Sequence, residues 1–215
     1  MNNQYTYLHH NSGYPVHCSV AHLPTLLDHR EAVLLPTQSG SKRPLISKWQ
    51  KVRFEQTQES EYRAMLEAAF NRSAIGVQLG NGIHAIDVDN DELANEFLEL
   101  NPRLQKTLRT QGKRGCQFWI KIDGKSPASS KLELDGKDIG EWRSTGNQSV
   151  IYGKHPDGPR YQILTQEKPV TIKFDEINWP VGWIGKFNEP PPKEDSKETK
   201  DAKNNKDANH ELIEA

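Results

Sequence analysis

Residues 74–90, AIGVQLGNGIHAIDVDN, decide which fold this chain is expected to adopt. The stretch contains two apolar, β-rich runs, residues 74–79 and 83–89, on either side of Gly80-Asn81-Gly82. Glycine and asparagine accept the positive φ angles of tight hairpin turns, so this pattern predicts a β-hairpin. Asn90 follows the second run directly, and as a favoured N-cap residue it predicts that a helix begins there.

The rest of the chain mixes helical and strand patterns around this centre. Apolar residues recur at helical spacing from Tyr62 to Phe70, which predicts an amphipathic helix with this stripe in the core. Short apolar or alternating runs predict further strands at residues 32–36, 115–122, 138–144, 147–153, 160–164 and 168–174. The later strands are separated by short turns, which favours antiparallel pairing. The predicted fold class is therefore α+β with a largely antiparallel sheet.

The composition excludes several classes of protein. The 215 residues are 34% hydrophobic and carry a formal net charge of −1, which argues against a strongly basic nucleic-acid coat protein. No apolar run approaches the ~20 residues of a membrane-spanning helix, and the N-terminus lacks the pattern of a signal peptide. Two cysteines, Cys18 and Cys116, are too few for a disulfide framework. We therefore expect a protein of the cytoplasm, neither membrane-bound nor secreted.

The end of the chain differs in composition from the rest. Residues 189–215 begin with EPPP and carry five lysines and eight acidic residues, a net charge of −3. Such a segment cannot bury enough apolar surface to offset the entropy of ordering it. We expect one domain over residues 1–188 and a disordered linker or tail over residues 189–215. Either the chain is the front part of a longer protein cut in a linker, or this segment is a natural disordered tail.

Asp87 and Asp89 are the first candidates for a chemical role. Residues i and i+2 of a strand point to the same face, so both carboxylates would lie side by side at the end of an apolar strand. Hard oxygen ligands of this kind suit Mg²⁺ or Mn²⁺. The same residues also fit a simple charge cluster at the start of the next helix, where acidic groups are favourable. An EF-hand is excluded, because Glu92 stands in place of its glycine and Leu98 in place of its final glutamate.

A second group of polar residues comes later in the chain. Glu141 and Arg143 share one face of a predicted strand with Ile139, and Trp142 lies on the opposite face. An acid and an arginine at this spacing form either a plain surface pair or part of a nucleotidyl-transfer site. In such a site, carboxylates hold divalent ions and arginine binds phosphate bidentately. His155 lies in a turn rich in glycine and proline, where an ordinary exposed histidine is also expected.

The predicted strand at residues 115–122 and the turn before it add further candidates. The polar face of this strand carries Gln117, Trp119 and Lys121. Lys113 and Arg114 precede the strand in a loop flanked by glycines. These two cations either form a solvated basic turn or contact phosphate.

Taken in order, these pieces resemble the bifunctional DNA primase/polymerase N-terminal domain (prim-pol) of the archaeo-eukaryotic primase superfamily. The resemblance covers roughly residues 30–165. It begins with a K-x-P…W loop, here Lys42, Pro44 and Trp49, and continues with IGV-x-x-G-x-G…D-x-D, here residues 75–89. A Thr-x-Gly segment, TQGKRGCQFWI, comes next. The last segment, GEWRSTGNQSVIYGKHPDGPRY, holds an acid-x-Arg strand, a His-Pro-x-Gly turn and a tyrosine.

The resemblance implies a role for each candidate residue. Asp87, Asp89 and Glu141 would be the metal ligands, with Glu141 standing where many members have aspartate. Arg143 would contact the incoming triphosphate. His155 would lie near the nucleotide or the template, and Lys42 would be a phosphate contact. The implied fold is an RRM-like catalytic sheet with an N-terminal α/β lobe.

One position departs from the family pattern. Members usually carry a histidine that touches the nucleotide phosphates on the middle strand, where this chain has Gln117. Glutamine donates a hydrogen bond but cannot become cationic. The loss of one charge-assisted contact is worth ~10- to 100-fold. Either catalysis is weaker, therefore, or Lys121, Arg114 or Lys113 supplies the missing charge.

The resemblance further implies the reaction and its partners. We expect two-metal transfer of nucleotides from dNTP or NTP to a primer or an initiating nucleotide, on a single-stranded or primed DNA template, with Mg²⁺ or Mn²⁺ as cofactor. Trp119 and Trp142 would be available for base stacking, or else pack in the core or at its rim. Relatives commonly precede a helicase in plasmid, phage or mobile-element replication proteins, so a C-terminal helicase region is an expected partner.

Two alternatives stay open at this point. The first is a catalytically weak or inactive module that binds nucleotide or single-stranded DNA next to a replicative helicase. The second is a nucleotide-sugar transferase that uses Asp87 and Asp89 and has no role for Glu141.

Overall fold

The structure is a computed structural model that describes residues 19–187, so the predicted linker at residues 189–215 lies outside the described residues. No helix between residues 19 and 187 is long and apolar enough to cross a membrane. The described helices are α1 (Leu23–Leu26), α2 (Phe54–Thr57), α3 (Ser60–Arg72) and α4 (Asp91–Leu100), with 3₁₀ helices at Val20–His22, Trp49–Lys51, Pro102–Lys106 and Phe174–Glu176. The strands are β1 (Leu34–Pro36), β2 (Ala74–Gln78), β3 (His84–Val88), β4 (Arg109–Gln111), β5 (Cys116–Ile122), β6 (Ser130–Leu134), β7 (Lys137–Arg143), β8 (Gln148–Gly153), β9 (Gln162–Thr165), β10 (Val170–Ile172) and β11 (Ile184–Gly185).

The smaller of two sheets contains three antiparallel strands in the order β1-β2-β8, and α3 packs on it. Tyr62, Leu66 and Phe70 of α3 are buried, which confirms the predicted amphipathic stripe. The Tyr62 hydroxyl also donates a hydrogen bond to the carbonyl of Leu34 at 2.9 Å, which ties the helix to β1. This sheet and α3 correspond to the expected N-terminal α/β lobe.

The larger sheet has the strand order β11-β6-β7-β3-β5-β4-β9, and β10 pairs with β5 outside this path. The β10–β5 pair is parallel, and all other pairs in this sheet are antiparallel. The prediction of an α+β fold with a largely antiparallel sheet is confirmed. Strand β3 lies near the middle, with β5 on one side and β7 on the other.

The hairpin predicted between residues 74 and 89 is wrong. A tight turn does form, in which the Gly80 amide donates to the Ile83 carbonyl at 2.9 Å. However, β2 pairs with β1 and β8, whereas β3 pairs with β5 and β7. At this turn the chain crosses from the smaller sheet to the larger one. It passes close to the turn between β7 and β8, because a Cβ on Gly80 would lie 2.3 Å from Thr145 Oγ1. Local turn chemistry makes the chain reverse, but distant segments supply the strand partners.

Side chains of β3 and β5 alternate between two hydrophobic cores. Ala85 and Trp119 belong to the core that also contains α3. Ile86 and Phe118 belong to the core beneath α4. The predicted alternation of these strands is thus confirmed, and it leaves Asp87 on the face away from α4.

Trp119 and Trp142 are fully buried, which confirms core packing for both and excludes base stacking by either ring. The prediction that Ile139 shares the face of Glu141 is wrong, because Ile139 packs in the same core as Trp142. The reason is that β7 carries an extra residue at this point of its ladder with β6, which shifts the alternation by one.

Helix α4 begins where its capping residue predicted. Asn90 Oδ1 accepts hydrogen bonds from the amides of Glu92 and Leu93 at 2.8 and 3.0 Å. The buried residues of α4 are Ala94, Phe97 and Leu98. The helix therefore covers the apolar side of the larger sheet and leaves the opposite side of β3 free for polar groups.

Candidate active site

Three predicted site residues lie in one row across the middle of the larger sheet. Asp87 of β3 is in register with Gln117 of β5 on one side and with Glu141 of β7 on the other. Side chains directly opposite each other on neighbouring strands share a face of the sheet, with Cβ atoms ~5 Å apart. Strand pairing therefore brings together an amide and two carboxylates from three distant parts of the chain.

Arg143 links the two carboxylates of this row. Its Nη2 lies 2.7 Å from Asp87 Oδ2, and its Nε donates to Glu141 Oε2 at 2.7 Å. A third bond runs from Arg143 Nη1 to Ser149 Oγ at 3.1 Å. Arginine is suited to this position, because its planar guanidinium presents several donors in a fixed geometry.

Asp87 is buried, with 8% of its surface exposed. Burial raises the pKa of Asp87, the guanidinium of Arg143 lowers it, and the neighbouring carboxylate of Asp89 raises it again. The pKa of Asp87 stays above its ordinary value in spite of the arginine. Additional positive charge next to this carboxylate would therefore be stabilising.

Gln117 is held by a buried chain of hydrogen bonds. The Trp119 indole Nε1 donates to Thr110 Oγ1 at 2.8 Å, and Thr110 Oγ1 donates to Gln117 Oε1 at 3.1 Å. The side-chain oxygen of Gln117 is thus engaged as an acceptor, and the side chain also forms a hydrogen bond with Asp87. Thr110 is fully buried. Thr110 is the threonine of the Thr-x-Gly segment in the family pattern, but sequence reasoning assigned it no role in the site.

A polar cavity of about 300 Å³ opens beside this row. Asp87, Gln117 and the exposed Asp89 line it on the sheet side. Lys42 reaches it from the loop after β1, where the Lys42 carbonyl accepts a hydrogen bond from Gln148 Nε2 at 2.9 Å. The remaining lining residues are Gly112, Lys113, Arg114, Cys116, His155, Asp157 and Tyr161.

The basic turn between β4 and β5 is held against the end of β3. Gly115 has φ +70°, and a Cβ there would lie 1.9 Å from the carbonyl oxygen of Val88. Asp91 Oδ1 accepts from the Gly115 amide at 2.6 Å and from Gln111 Nε2 at 3.1 Å. These contacts place Lys113 and Arg114 on the rim of the cavity.

His155 also lines the cavity, next to the turn that carries Lys113, and is largely buried. Its Nδ1 accepts a hydrogen bond from the Asp157 amide at 3.1 Å. Burial lowers the pKa of His155, and the nearby Lys42 and Lys113 lower it further, whereas Asp157 opposes them. The imidazole is therefore neutral at pH 7 and serves as a hydrogen-bonding group, not as a fixed cation.

Lys121 is the one predicted site residue that the structure places elsewhere. Its Nζ lies 2.7 Å from the side-chain oxygen Oδ2 of Asp28 and donates to the Asp28 carbonyl at 2.7 Å. Lys168 binds the other carboxylate oxygen of Asp28 at 2.9 Å. Lys121 is absent from the lining of the cavity, whereas Lys113 and Arg114 line it.

The donor set of the site fits a hard divalent cation only in part. Asp87 and Asp89 both line the cavity and supply carboxylate oxygens of the kind that Mg²⁺ and Mn²⁺ prefer. Between residues 19 and 187, however, no three aspartate, glutamate, histidine or cysteine side chains converge as a metal site. Glu141 is turned to Arg143, which explains why the third predicted ligand does not complete the set.

Comparison with known families agrees with this arrangement. The sequence model described as "Prim-Pol: Bifunctional DNA primase/polymerase, N-terminal" matches residues 24–177. The chain belongs to the Prim-Pol family. The matched range contains every predicted site residue and confirms the resemblance inferred from the ordered motifs. A Prim-Pol domain of this kind indicates a nucleotidyltransferase of the primase/polymerase type. No curated protein matches the chain.

Proposed function

We propose that this Prim-Pol domain transfers nucleotides from dNTP or NTP to a primer terminus or an initiating nucleotide on a DNA template. One observation carries the proposal. The buried row of Gln117, Asp87 and Glu141, bridged by Arg143, lies beside a polar cavity with cations on its rim. Carboxylates next to phosphate-binding cations are what nucleotidyl transfer requires.

Asp87 and Asp89 would hold Mg²⁺ or Mn²⁺, and Glu141 would join them once Arg143 releases it. Metal ions bound there would lower the pKa of the attacking 3′-hydroxyl and neutralise charge on the departing pyrophosphate. The raised pKa of Asp87, caused chiefly by burial, supports a role as a ligand that is more stable beside added positive charge.

The cations of the site would bind and orient the triphosphate. Lys42 approaches from the loop after β1, while Lys113 and Arg114 approach from the turn between β4 and β5. Arg143 would exchange its bond to Glu141 for one to phosphate, for which its planar donors are equally suited. Gln117 and the neutral His155 would contribute uncharged hydrogen bonds that position the substrate.

The proposal for the wider setting rests on the family resemblance alone. We place the domain in the replication of a plasmid, phage or mobile element, with a helicase region as its partner and a single-stranded or primed template as its substrate. The assignment of residues 1–188 to one domain and of residues 189–215 to a linker belongs to this proposal.

A second candidate function is a binding module without turnover. Two observations favour it: glutamine stands at position 117, and Glu141 is bonded to Arg143. Such a module would bind nucleotide in a metal-dependent manner and form no product.

Extension of a labelled primer on a DNA template, with dNTPs and Mn²⁺ or Mg²⁺, separates these candidates. We expect wild-type extension, and its loss by at least ~10³-fold in Asp87→Asn and Glu141→Gln. Glu99→Gln is the matched control, since Glu99 is an exposed acid on α4. Unprimed templates with NTPs then test priming. Metal-dependent dNTP binding without extension by the folded wild type would favour the binding module.

A further inference from the structure

Tyr161 lines the cavity and has a buried hydroxyl with no hydrogen-bond partner among residues 19–187. The residue has 5% of its surface exposed. Buried hydroxyls in native proteins nearly always have a partner, because an unsatisfied one loses its hydration without compensation. An unpaired hydroxyl on a cavity wall therefore points to a ligand that completes it.

Backbone and ring contacts fix the position of the Tyr161 side chain, and with it the position of the hydroxyl. The Tyr161 amide donates to the Gly153 carbonyl at 2.8 Å, and the ring packs with Ala74 and Val150 of the smaller sheet. The ring centroid also lies 5.6 Å from that of His155.

Gly112 has no side chain at the place where the rings of His155 and Tyr161 approach the backbone. A Cβ at Gly112 would lie 3.0 Å from His155 Cδ2 and 3.2 Å from Tyr161 Cε1. Both distances are closer than ordinary van der Waals contact, so a larger residue would displace one of the rings. The absence of a side chain at position 112 thus lets the two rings of the cavity wall approach the turn that carries Lys113 and Arg114.

The surroundings of Tyr161 identify what its hydroxyl can bind. Burial raises the pKa of Tyr161 well above its ordinary value, and the carboxylate of Asp87 adds to this rise. The hydroxyl is therefore a permanent donor at physiological pH, and it lies within electrostatic reach of the metal-ligand candidates. Its missing partner is an acceptor inside the cavity, which Asp87 and Asp89 also line.

We propose that the Tyr161 hydroxyl donates a hydrogen bond to a phosphate oxygen of the bound nucleotide. The inference rests on the proposed function, since it uses the same cavity. Phosphate is favoured over the sugar and the base, because the part of a nucleotide that lies beside carboxylate-bound metal ions is its triphosphate. The cations on the rim, Lys42, Lys113 and Arg114, select an anion as well.

Titration calorimetry of the full chain with dATP and with inorganic tripolyphosphate, each in excess Mg²⁺, tests this contact. The variant is Tyr161→Phe, which removes one oxygen and keeps the ring. The matched control is Tyr152→Phe, since the Tyr152 ring stacks on Phe70 and does not line the cavity. We expect Tyr161→Phe to weaken the binding of both ligands by about 10-fold in Kd. Its melting temperature should stay equal or rise, because an unsatisfied buried group is removed.

Each other outcome overturns the assignment or a stated part of it. Weaker dATP binding with unchanged tripolyphosphate binding would move the contact to the sugar or the base. Equal binding of both ligands by wild type and Tyr161→Phe would remove any ligand role for Tyr161. If the wild type bound neither ligand, the proposed function would fail and this inference with it. Binding without primer extension would leave the Tyr161 contact standing while the polymerase proposal failed.

Discussion

Arg143 Nη2 lies 2.7 Å from Asp87 Oδ2, and through Nε the same guanidinium holds Glu141. The contact follows from strand register, because Arg143 lies opposite Ala85, two residues before Asp87 on the neighbouring strand. The bridge offsets the repulsion between carboxylates in a place where neither can be fully hydrated. It also means that the arginine and a metal ion compete for the same oxygens.

The first prediction concerns this competition. Arg143→Met should bind Mn²⁺ about 10-fold more tightly than wild type in the absence of nucleotide, because a nearby positive charge is removed. Without metal the variant should be less stable by about 3 kcal/mol, since Asp87 is left buried without its partner. The measurement is the melting temperature with and without Mn²⁺. Addition of Mn²⁺ should raise the melting temperature of the variant more than that of wild type.

Arg143→Lys is the control for charge. It keeps a cation beside Asp87 and loses the planar donors, so its response to Mn²⁺ should stay close to that of wild type. An equal Mn²⁺ response of Arg143→Met and wild type would show that Arg143 does not compete with metal.

The second prediction concerns the chain of hydrogen bonds behind Gln117. Thr110→Val keeps the shape of the side chain but leaves Trp119 Nε1 and Gln117 Oε1 buried without their shared partner. The free energy of unfolding should fall by about 2–3 kcal/mol, as measured by urea denaturation. Binding of dATP should weaken several-fold, because Gln117 is no longer oriented toward Asp87. Thr110→Ser retains the hydroxyl, and it should preserve dATP binding if orientation is the cause.

The third prediction concerns stability as a function of pH. His84 is 4% exposed, its ring stacks on Trp142 with centroids 5.3 Å apart, and its Nδ1 has no partner among residues 19–187. Burial lowers the pKa of His84 to about 4. Because its pKa in the unfolded chain is ~6.5, the unfolded state binds more protons between pH 6.5 and 4. Stability from this group is thus fully present above that window and is lost as the pH falls through it.

The loss from His84 should reach about 2 kcal/mol between pH 7.5 and pH 5. His84→Phe keeps a stacking ring and cannot be protonated. Urea denaturation gives the free energy of unfolding of wild type and variant at both pH values. The contribution of His84 is the change between the two pH values in wild type minus the same change in the variant. Identical pH dependence of the two proteins would contradict the assignment of the shift to His84.

The fourth prediction compares two glycines with nearly equal backbone angles. Gly115 (φ +70°) and Gly136 (φ +72°) both occupy the left-handed region, but only a Cβ at Gly115 would meet other atoms within 4 Å, at 1.9 Å from the Val88 carbonyl oxygen. Gly136→Ala should lower the free energy of unfolding by about 1 kcal/mol, because only the left-handed backbone conformation is unfavourable for alanine there. Gly115→Ala should cost at least ~3 kcal/mol and abolish dATP binding, because the turn with Lys113 and Arg114 must move away from β3. Urea denaturation and calorimetry of both variants check this, and equal costs would contradict the close approach.

Much of the candidate site could be predicted from residue order. Strand alternation predicts that Asp87 and Asp89 share a face and that Glu141 and Arg143 share one, whereas Gln117 and His155 enter through the family resemblance. Lys121 could not be placed in this way. It lies on the predicted face of β5 but farther along the strand, where Asp28 captures it. The family pattern includes the tyrosine at position 161. That its hydroxyl is buried and unpaired depends on how the surrounding side chains pack, which only the structure shows.

The sequence by itself determined the local features of this protein: the buried stripe of α3, the Asn90 cap of α4, and the alternating faces of β3 and β5. Each depends on residues a few positions apart, whose preferences act within a single helix or strand. Only the tertiary structure decided that β2 and β3 belong to different sheets, and that Asp87 meets Glu141 and Arg143. Strand partners are chosen by contacts between distant segments, as the register of Asp87 with Gln117 and Glu141 illustrates. The free energy of such contacts depends on how the whole core packs, which no local pattern contains.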